Sequence, residues 1–296
     1  MPRELWDGKY VKLAYTLEPD GPHLTPLEDH YGNFASITCL LHGSGTCFIE
    51  GKTYVMSDGD IILVSTNELR SFHYNHGGYH ERVSLYLSST LLAPFWEYEL
   101  DLWKIFNGHP PGTANKYSLN DPDALNVRHI ILQLCHLAAQ CGETLTPKED
   151  AQLHLLSVQL LFALNEFYER QGLPEPTHEN DSVVWEICRY IHEHLSEDLS
   201  YDSLQRALHV SRYYLSVLFR QNTGMTVTEF ILQKRLIKVS ELVSGGMCIS
   251  KAAEASGFRN YPHFYKIFVK RKGVSPQKYY ASENQPFSGG ARKKES

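Results

Sequence analysis

The chain has 296 residues, 42% of them hydrophobic and 21% charged, with a net charge of −6. That length suits two domains with connectors. The absence of an 18-residue apolar run or a cleavable leader excludes a membrane span and gives the expectation of a soluble, cytoplasmic protein. Cys39, Cys47, Cys135, Cys141, Cys188 and Cys248 are scattered without a CxxC pair or a matching Cys/His set, so free thiols are expected rather than disulfides or a zinc site.

From Phe34 to Leu87 the sequence reads as β structure. Short runs of β-branched and aromatic residues are broken by Gly-Ser-Gly, Glu-Gly-Lys and Ser-Asp-Gly-Asp. About six to eight strands so closely spaced predict an antiparallel barrel or jelly roll. Two amphipathic helices follow, "DALNVRHIILQLCHLAAQC" and "PKEDAQLHLLSVQLLFALNEFYERQG". In the second, Leu153, Leu156, Leu160, Ala163 and Phe167 recur at spacings of three and four, a seam able to pair with a partner helix or to pack within the chain. The polar, proline-bearing stretch "GLPEPTHENDS" then reads as an interdomain linker.

Beyond it the chain repeats itself. A shift of 49 residues lays "SRYYLSVLFRQNTGMTVTEFI" on "NYPHFYKIFVKRKGVSPQKYY", matching Ser211 with Asn260, Leu215 with Phe264, Leu218 with Ile267, Phe219 with Phe268 and Gly224 with Gly273. Ser and Asn suit N-caps, the apolar residues keep helical spacing, and each glycine suits the residue after a helix. Pro262 falls in a first turn, where its missing N–H costs little. A shorter helix precedes each copy ("YDSLQRALHV" and "ISKAAEASGF"), so each unit predicts a helix-turn-helix. Thr226 and Glu229 form a capping-box pair opening one helix to Ser244, about 28 Å long at about 1.5 Å per residue, against a major-groove repeat of about 34 Å. From Ser200 onward there are 16 Lys and Arg against 6 Asp and Glu, whereas the preceding part carries 12 against 28. A basic third attached to an acidic remainder fits one polyanion-binding domain joined to a part with another task.

These residues, "VSRYYLSVLFRQNTG" and "GFRNYPHFYKIFVKRKGVSPQKY" above all, resemble the signature of the AraC/XylS transcriptional regulators, over about Ser182 to Tyr280. The resemblance implies an α+β multidomain chain: an N-terminal cupin-like β-barrel with following helices and a C-terminal all-α double helix-turn-helix domain of seven helices. The boundaries expected are 1–108 for the effector-binding domain, 109–171 for a helical dimerisation segment, 172–181 for the linker, 182–281 for the DNA-binding domain and 282–296 for a disordered tail. Matched to the family pattern, the base-facing places fall on Arg212, Tyr213, Ser216 and Val217, and on Tyr261, His263, Tyr265 and Lys266. Ser211, Arg220 and Asn260 lie beside them. Val217 departs from the polar or basic residue common there, though it can still touch a thymine methyl.

"GSGTCFIEGKTYVMSDGDIILV" resembles the cupin-like sensor attached to many such regulators. A catalytic cupin needs a His-x-His pair, a Glu and a later His converging on a metal. Here Gly43 and Ser44 follow His42, Glu50 sits in a turn, and no metal or other cofactor is expected. What remains is a pocket for a sugar or an organic acid, with Arg70, His73, Arg82 and Tyr86 as candidate contacts and His30 and Tyr31 offered by an N-terminal lid. The resulting expectation is a ligand-responsive activator of a catabolic operon, without enzymatic activity and working as a homodimer on double-stranded operator DNA with RNA polymerase. The alternatives are a constitutive regulator whose barrel only dimerises, and a metal-dependent cupin enzyme.

Overall fold

The computed structural model describes residues 4–19, 34–75, 79–88, 90–92, 98, 100–171 and 183–283. Among the described residues nine strands form two antiparallel sheets. The larger takes β1 (Glu4–Asp7), β2 (Val11–Pro19), β8 (Tyr79–Ser88), β3 (Phe34–His42), β6 (Asp60–Val64) and β9 (Lys116–Ser118) in that order. The smaller runs β5 (Lys52–Met56), β4 (Gly45–Ile49), β7 (Arg70–Tyr74). Leu40, Ile62 and Val64 from the first pack with Cys47, Ile49, Met56, Phe72 and Tyr74 from the second, so the sheets face each other across an apolar floor. No backbone ladder joins the two sheets among the described residues, and the barrel is two apposed sheets rather than one closed one.

Side chains alternate across each strand. On the large sheet Ala35, Ile37, Cys39, Val83, Leu85 and Leu87 point outward into a second core beneath α1 (Lys104–Asn107), α2 (Leu125–Gln140) and α3 (Pro147–Gln171). Because β9 pairs with β6 through Ile61 and Tyr117, the sensor sheet continues past the boundary expected at 108. The apolar seam of α3 is turned inward: Leu153, Leu160, Ala163 and Phe167 are buried in this core, with Leu156 packed against it. Helical spacing alone does not distinguish a seam for a neighbour in the same chain from one for a partner. The face left outward carries Leu155, Phe162 and, from α2, Leu132.

The C-terminal part holds seven helices among the described residues: α4 (Val183–Glu193), α5 (Tyr201–Leu208), α6 (Phe219–Thr223), α7 (Val227–Ser244), α8 (Ile249–Ala255), α9 (Tyr261–Lys272) and α10 (Pro276–Glu283). A π turn over Tyr214–Leu218 runs into α6 and completes the first of the repeated helices. Thr226 and Glu229 cap α7 reciprocally, Asn260 caps α9 by accepting the His263 N–H, and Gly224 and Gly273 take the left-handed conformation that ends α6 and α9. Each unit has its own core, around Leu215, Phe219 and Phe230 in the first and Phe264, Phe268 and Leu236 in the second.

The turn between α8 and α9 depends on Gly257, whose φ is +90°. A Cβ there would stand 2.5 Å from the Leu195 carbonyl and 2.8 Å from Arg235 Nε. Arg235 itself donates from Nε to Leu195 O at 3.0 Å and from Nη2 to Glu197 O at 2.8 Å, so α7 braces the end of α4 against the second unit at this point. Gly257→Ala is expected to lower stability by about 1–3 kcal/mol, from left-handed strain alone, with the collision adding to it. Thermal melts of the two proteins check this, and an unchanged midpoint would contradict the close approach.

Candidate nucleic-acid interface and effector pocket

Both repeated helices present an outer face to solvent. On the first, Ser211, Arg212, Tyr213, Val217 and Arg220 are exposed, Tyr213 at 56% and Val217 at 37%. The Arg212 guanidinium lies 5.6 Å from the Tyr201 ring, which aims it without burying it. Ser216 is half-buried and its hydroxyl donates to the Arg212 carbonyl at 2.7 Å, so that hydroxyl is already engaged by its own helix. On α9, His263, Tyr265 and Lys266 are exposed.

On the second helix two of the expected base-facing or flanking residues also carry structural contacts. The Asn260 amide oxygen accepts the His263 N–H at 2.9 Å. Tyr261 is half-buried with its ring 5.6 Å from that of Phe264, and its hydroxyl accepts from Gln277 Nε2 at 2.9 Å. Sequence reasoning overlooked Tyr214, exposed beside the first face, and Arg259, Lys270 and Arg271 around the second. Lys270 was within reach of a spacing argument, since it follows Lys266 by one turn of helix.

In the sensor, the inward face of the large sheet changes from apolar to polar along β2, β3 and β8. Lys12, Thr16, Ser36, Thr38, Arg82 and Ser84 are all buried. Lys12 pairs with Asp7 at 3.1 Å, and the Thr38 and Ser84 hydroxyls lie 3.1 Å apart. Ser36 Oγ is buried and has no hydrogen-bond partner among the described residues. Arg82 Nη1 donates to the Tyr74 hydroxyl across the gap between the sheets, and the Tyr74 ring stacks on His80 at 3.9 Å. Arg70 and Tyr86 meet nearby, guanidinium to ring centre 6.0 Å. Arg70 with Tyr86 and Arg82 with Tyr74 make two contacts four residues apart along β7 and β8, and the polar strip beside them fits a small ligand bearing hydroxyl or carboxylate groups.

His73 does not join them. It pairs across the ladder with Thr46, while its neighbours Phe72 and Tyr74 fill the interior, so strand alternation turns it to the outer face. Partial burial there holds its imidazole below the usual range. His30 and Tyr31 lie outside the described residues. Among the described residues no group of three His, Cys, Asp or Glu is placed to hold a metal ion, and no helix is long and apolar enough to cross a membrane.

A two-sheet sensor with a polar interior, joined to two helix-turn-helix units on one shared helix, defines a ligand-responsive, DNA-binding transcription regulator. A family model described as an AraC-like ligand binding domain matches residues 21–157, and one described as a helix-turn-helix domain matches residues 204–282. The HTH-type transcriptional activator RhaS of Salmonella schwarzengrund is 22% identical over 271 residues, covering 90% of this chain and 91% of that protein. RhaS of Salmonella arizonae is 23% identical over 267 residues, with the same coverage of 90% and 91%. The chain also aligns with ToxT from Vibrio cholerae O395 at 13% identity and a TM-score of 0.38, over 93% of this chain and 99% of that one, a likeness too loose to place any residue. The chain belongs to the AraC/XylS family of transcriptional regulators.

Proposed function

We propose that this protein is a cytoplasmic, homodimeric activator without enzymatic activity, which binds a double-stranded operator through both helix-turn-helix units. It controls a catabolic operon through RNA polymerase, in response to a sugar or organic acid held against Arg70, Arg82 and Tyr86. The observation that carries the reading is the pair of exposed, cation-bearing helix faces at either end of α7. This helix of 18 residues spans about 27 Å at about 1.5 Å per residue and suits successive major grooves. The outward face of α2 and α3 supports the dimer. Its groove of about 620 Å³ is lined by Leu132, Leu155 and Leu156 with His129, His136 and glutamines, and among the described residues no Asp, Glu, Lys or Arg lines it. Leu155 is 63% exposed.

The test uses a duplex selected from a randomised pool by the wild-type protein. Lys266→Ala and Arg212→Ala are each expected to weaken binding to that duplex by about 1–3 kcal/mol and to affect an unrelated duplex less. Equal losses on both duplexes would remove these side chains from base reading. Failure to select any duplex would overturn the proposal.

A further inference from the structure

The first helix-turn-helix unit is docked on the sensor, and the contact is built around a buried charge. Lys234, midway along α7, is 3% exposed. Its ammonium donates to Glu50 Oε1 at 2.9 Å and to the Asn67 carbonyl at 2.7 Å. The same Glu50 oxygen accepts the Leu69 N–H at 2.6 Å, and the Glu50 N–H donates to the Leu69 carbonyl at 3.1 Å. Among the described ion pairs it alone has both side chains buried.

The sensor side of this contact is closely hydrogen-bonded. Glu50 stands in the left-handed region at φ 47°, followed by Gly51, where a Cβ would come 2.7 Å from the Trp185 Cα of α4. Glu68, buried beside it, accepts from Ser65 N and Asn115 Nδ2 at 2.9 Å and from Gly112 N at 2.7 Å. Burial pushes the Glu68 carboxyl upward, and the N–H donors of Ser65 and Gly112 pull it back. The turn after β4 and the segment before β7 are thereby one block.

That block is continuous with the pocket. Alternation along β4 and β7 sends Cys47, Ile49, Phe72 and Tyr74 inward, whereas Phe48 and Ser71 point outward. Phe48 and Leu69 enter the core of the first unit, and Ser71 Oγ donates at 3.1 Å to the carbonyl of Thr223, the last residue of α6. One ribbon thus faces the effector groups on one side and the end of a recognition helix on the other. Arg212, Tyr213 and Arg220 stay exposed in this arrangement, so docking governs the orientation of the unit and not access to it. An apolar contact alone would let the surfaces slide. A buried ion pair has one register, and opening it strands a charge, so the interface has two discrete states.

We infer that Glu50 and Lys234, with Ser71 and Thr223, form an interdomain latch that couples the sensor interior to the recognition helices through the β4–β7 ribbon. The inference rests on the reading of the chain as a DNA-binding regulator. Linkage makes the coupling reciprocal: whatever an occupied pocket does to the DNA-binding unit, bound DNA does to the ribbon.

That reciprocity permits a test without the effector. Backbone hydrogen exchange of the full chain is measured with and without a duplex selected by the wild-type protein. Bound DNA is expected to slow exchange across residues 45–74 by about 5- to 150-fold, the range of ordinary coupling. Glu50→Gln combined with Lys234→Met removes both charges without stranding either, and should abolish this transfer while the duplex still binds. Ser71→Ala, which removes one hydrogen bond and no charge, should reduce it and decides the matter if the double variant does not fold. Transfer that persists in the variants, or is absent from a DNA-bound wild type, overturns the latch. A wild type that binds no duplex overturns the DNA-binding reading beneath it.

Discussion

Phe268→Ala is expected to unfold the second helix-turn-helix unit while the sensor remains folded. The side chain is 1% exposed, and its ring centre lies 5.4 Å from that of Phe264, 5.3 Å from Tyr279 and 5.6 Å from Tyr280. Truncating a buried phenylalanine costs about 3–5 kcal/mol, from the lost transfer energy plus the cavity left behind. That is a large part of what holds any small domain together. The damage stays local because this core shares no residue with the first unit or the sensor. Circular dichroism melts should show an early helical transition and a retained later one. A single unshifted transition would mean that the aromatic cluster contributes little. Leu218, half-buried, should cost less when truncated, although its place in the repeat is equivalent to that of the half-buried Ile267.

Affinity for duplex DNA is expected to fall about 150-fold between 50 and 200 mM salt. Arg212, Arg220, Arg259, Lys266, Lys270 and Arg271 are exposed on or beside the two recognition helices. Each phosphate neutralised releases a counterion and adds about −0.9 to the slope of log affinity against log salt, so the four cations other than the base-reading Arg212 and Lys266 give a slope of about −3.6. The acidic sensor cannot supply such a term, because its excess of carboxylates repels the duplex. Titrations at several salt concentrations measure the slope, and Lys270→Gln should reduce it by about one unit. A flat dependence would show that the basic faces do not meet the phosphates.

The DNA-binding part was legible because its signals are local. Caps, closing glycines and core spacing all act within a few residues, and the repeat presented them twice. What failed was information carried across the chain. Asn260 was correctly read as a cap, yet the same observation leaves its side chain less free for DNA. Tyr261 accepts a hydrogen bond from Gln277, which follows the helix by a turn whose geometry the spacing does not reveal. His73 was misplaced because one residue of strand parity moves a side chain to the opposite face. Lys234 was unremarkable in the sequence, since lysine is rarely buried unless paired and its partner lies 184 positions away.

Lys234 and Arg235 are consecutive, so their side chains leave α7 about 100° apart, at 3.6 residues per turn. One is directed to the sensor and the other to the junction with the second unit. A residue inserted after Arg235 would turn the far half of the helix by about 100° and advance it about 1.5 Å, yet leave the sensor's grip unaltered. In evolutionary terms the relative placement of the two DNA-binding units and the choice of bound ligand would then be separate traits, open to change by separate mutations. A lineage could acquire a new promoter architecture without having to learn a new signal.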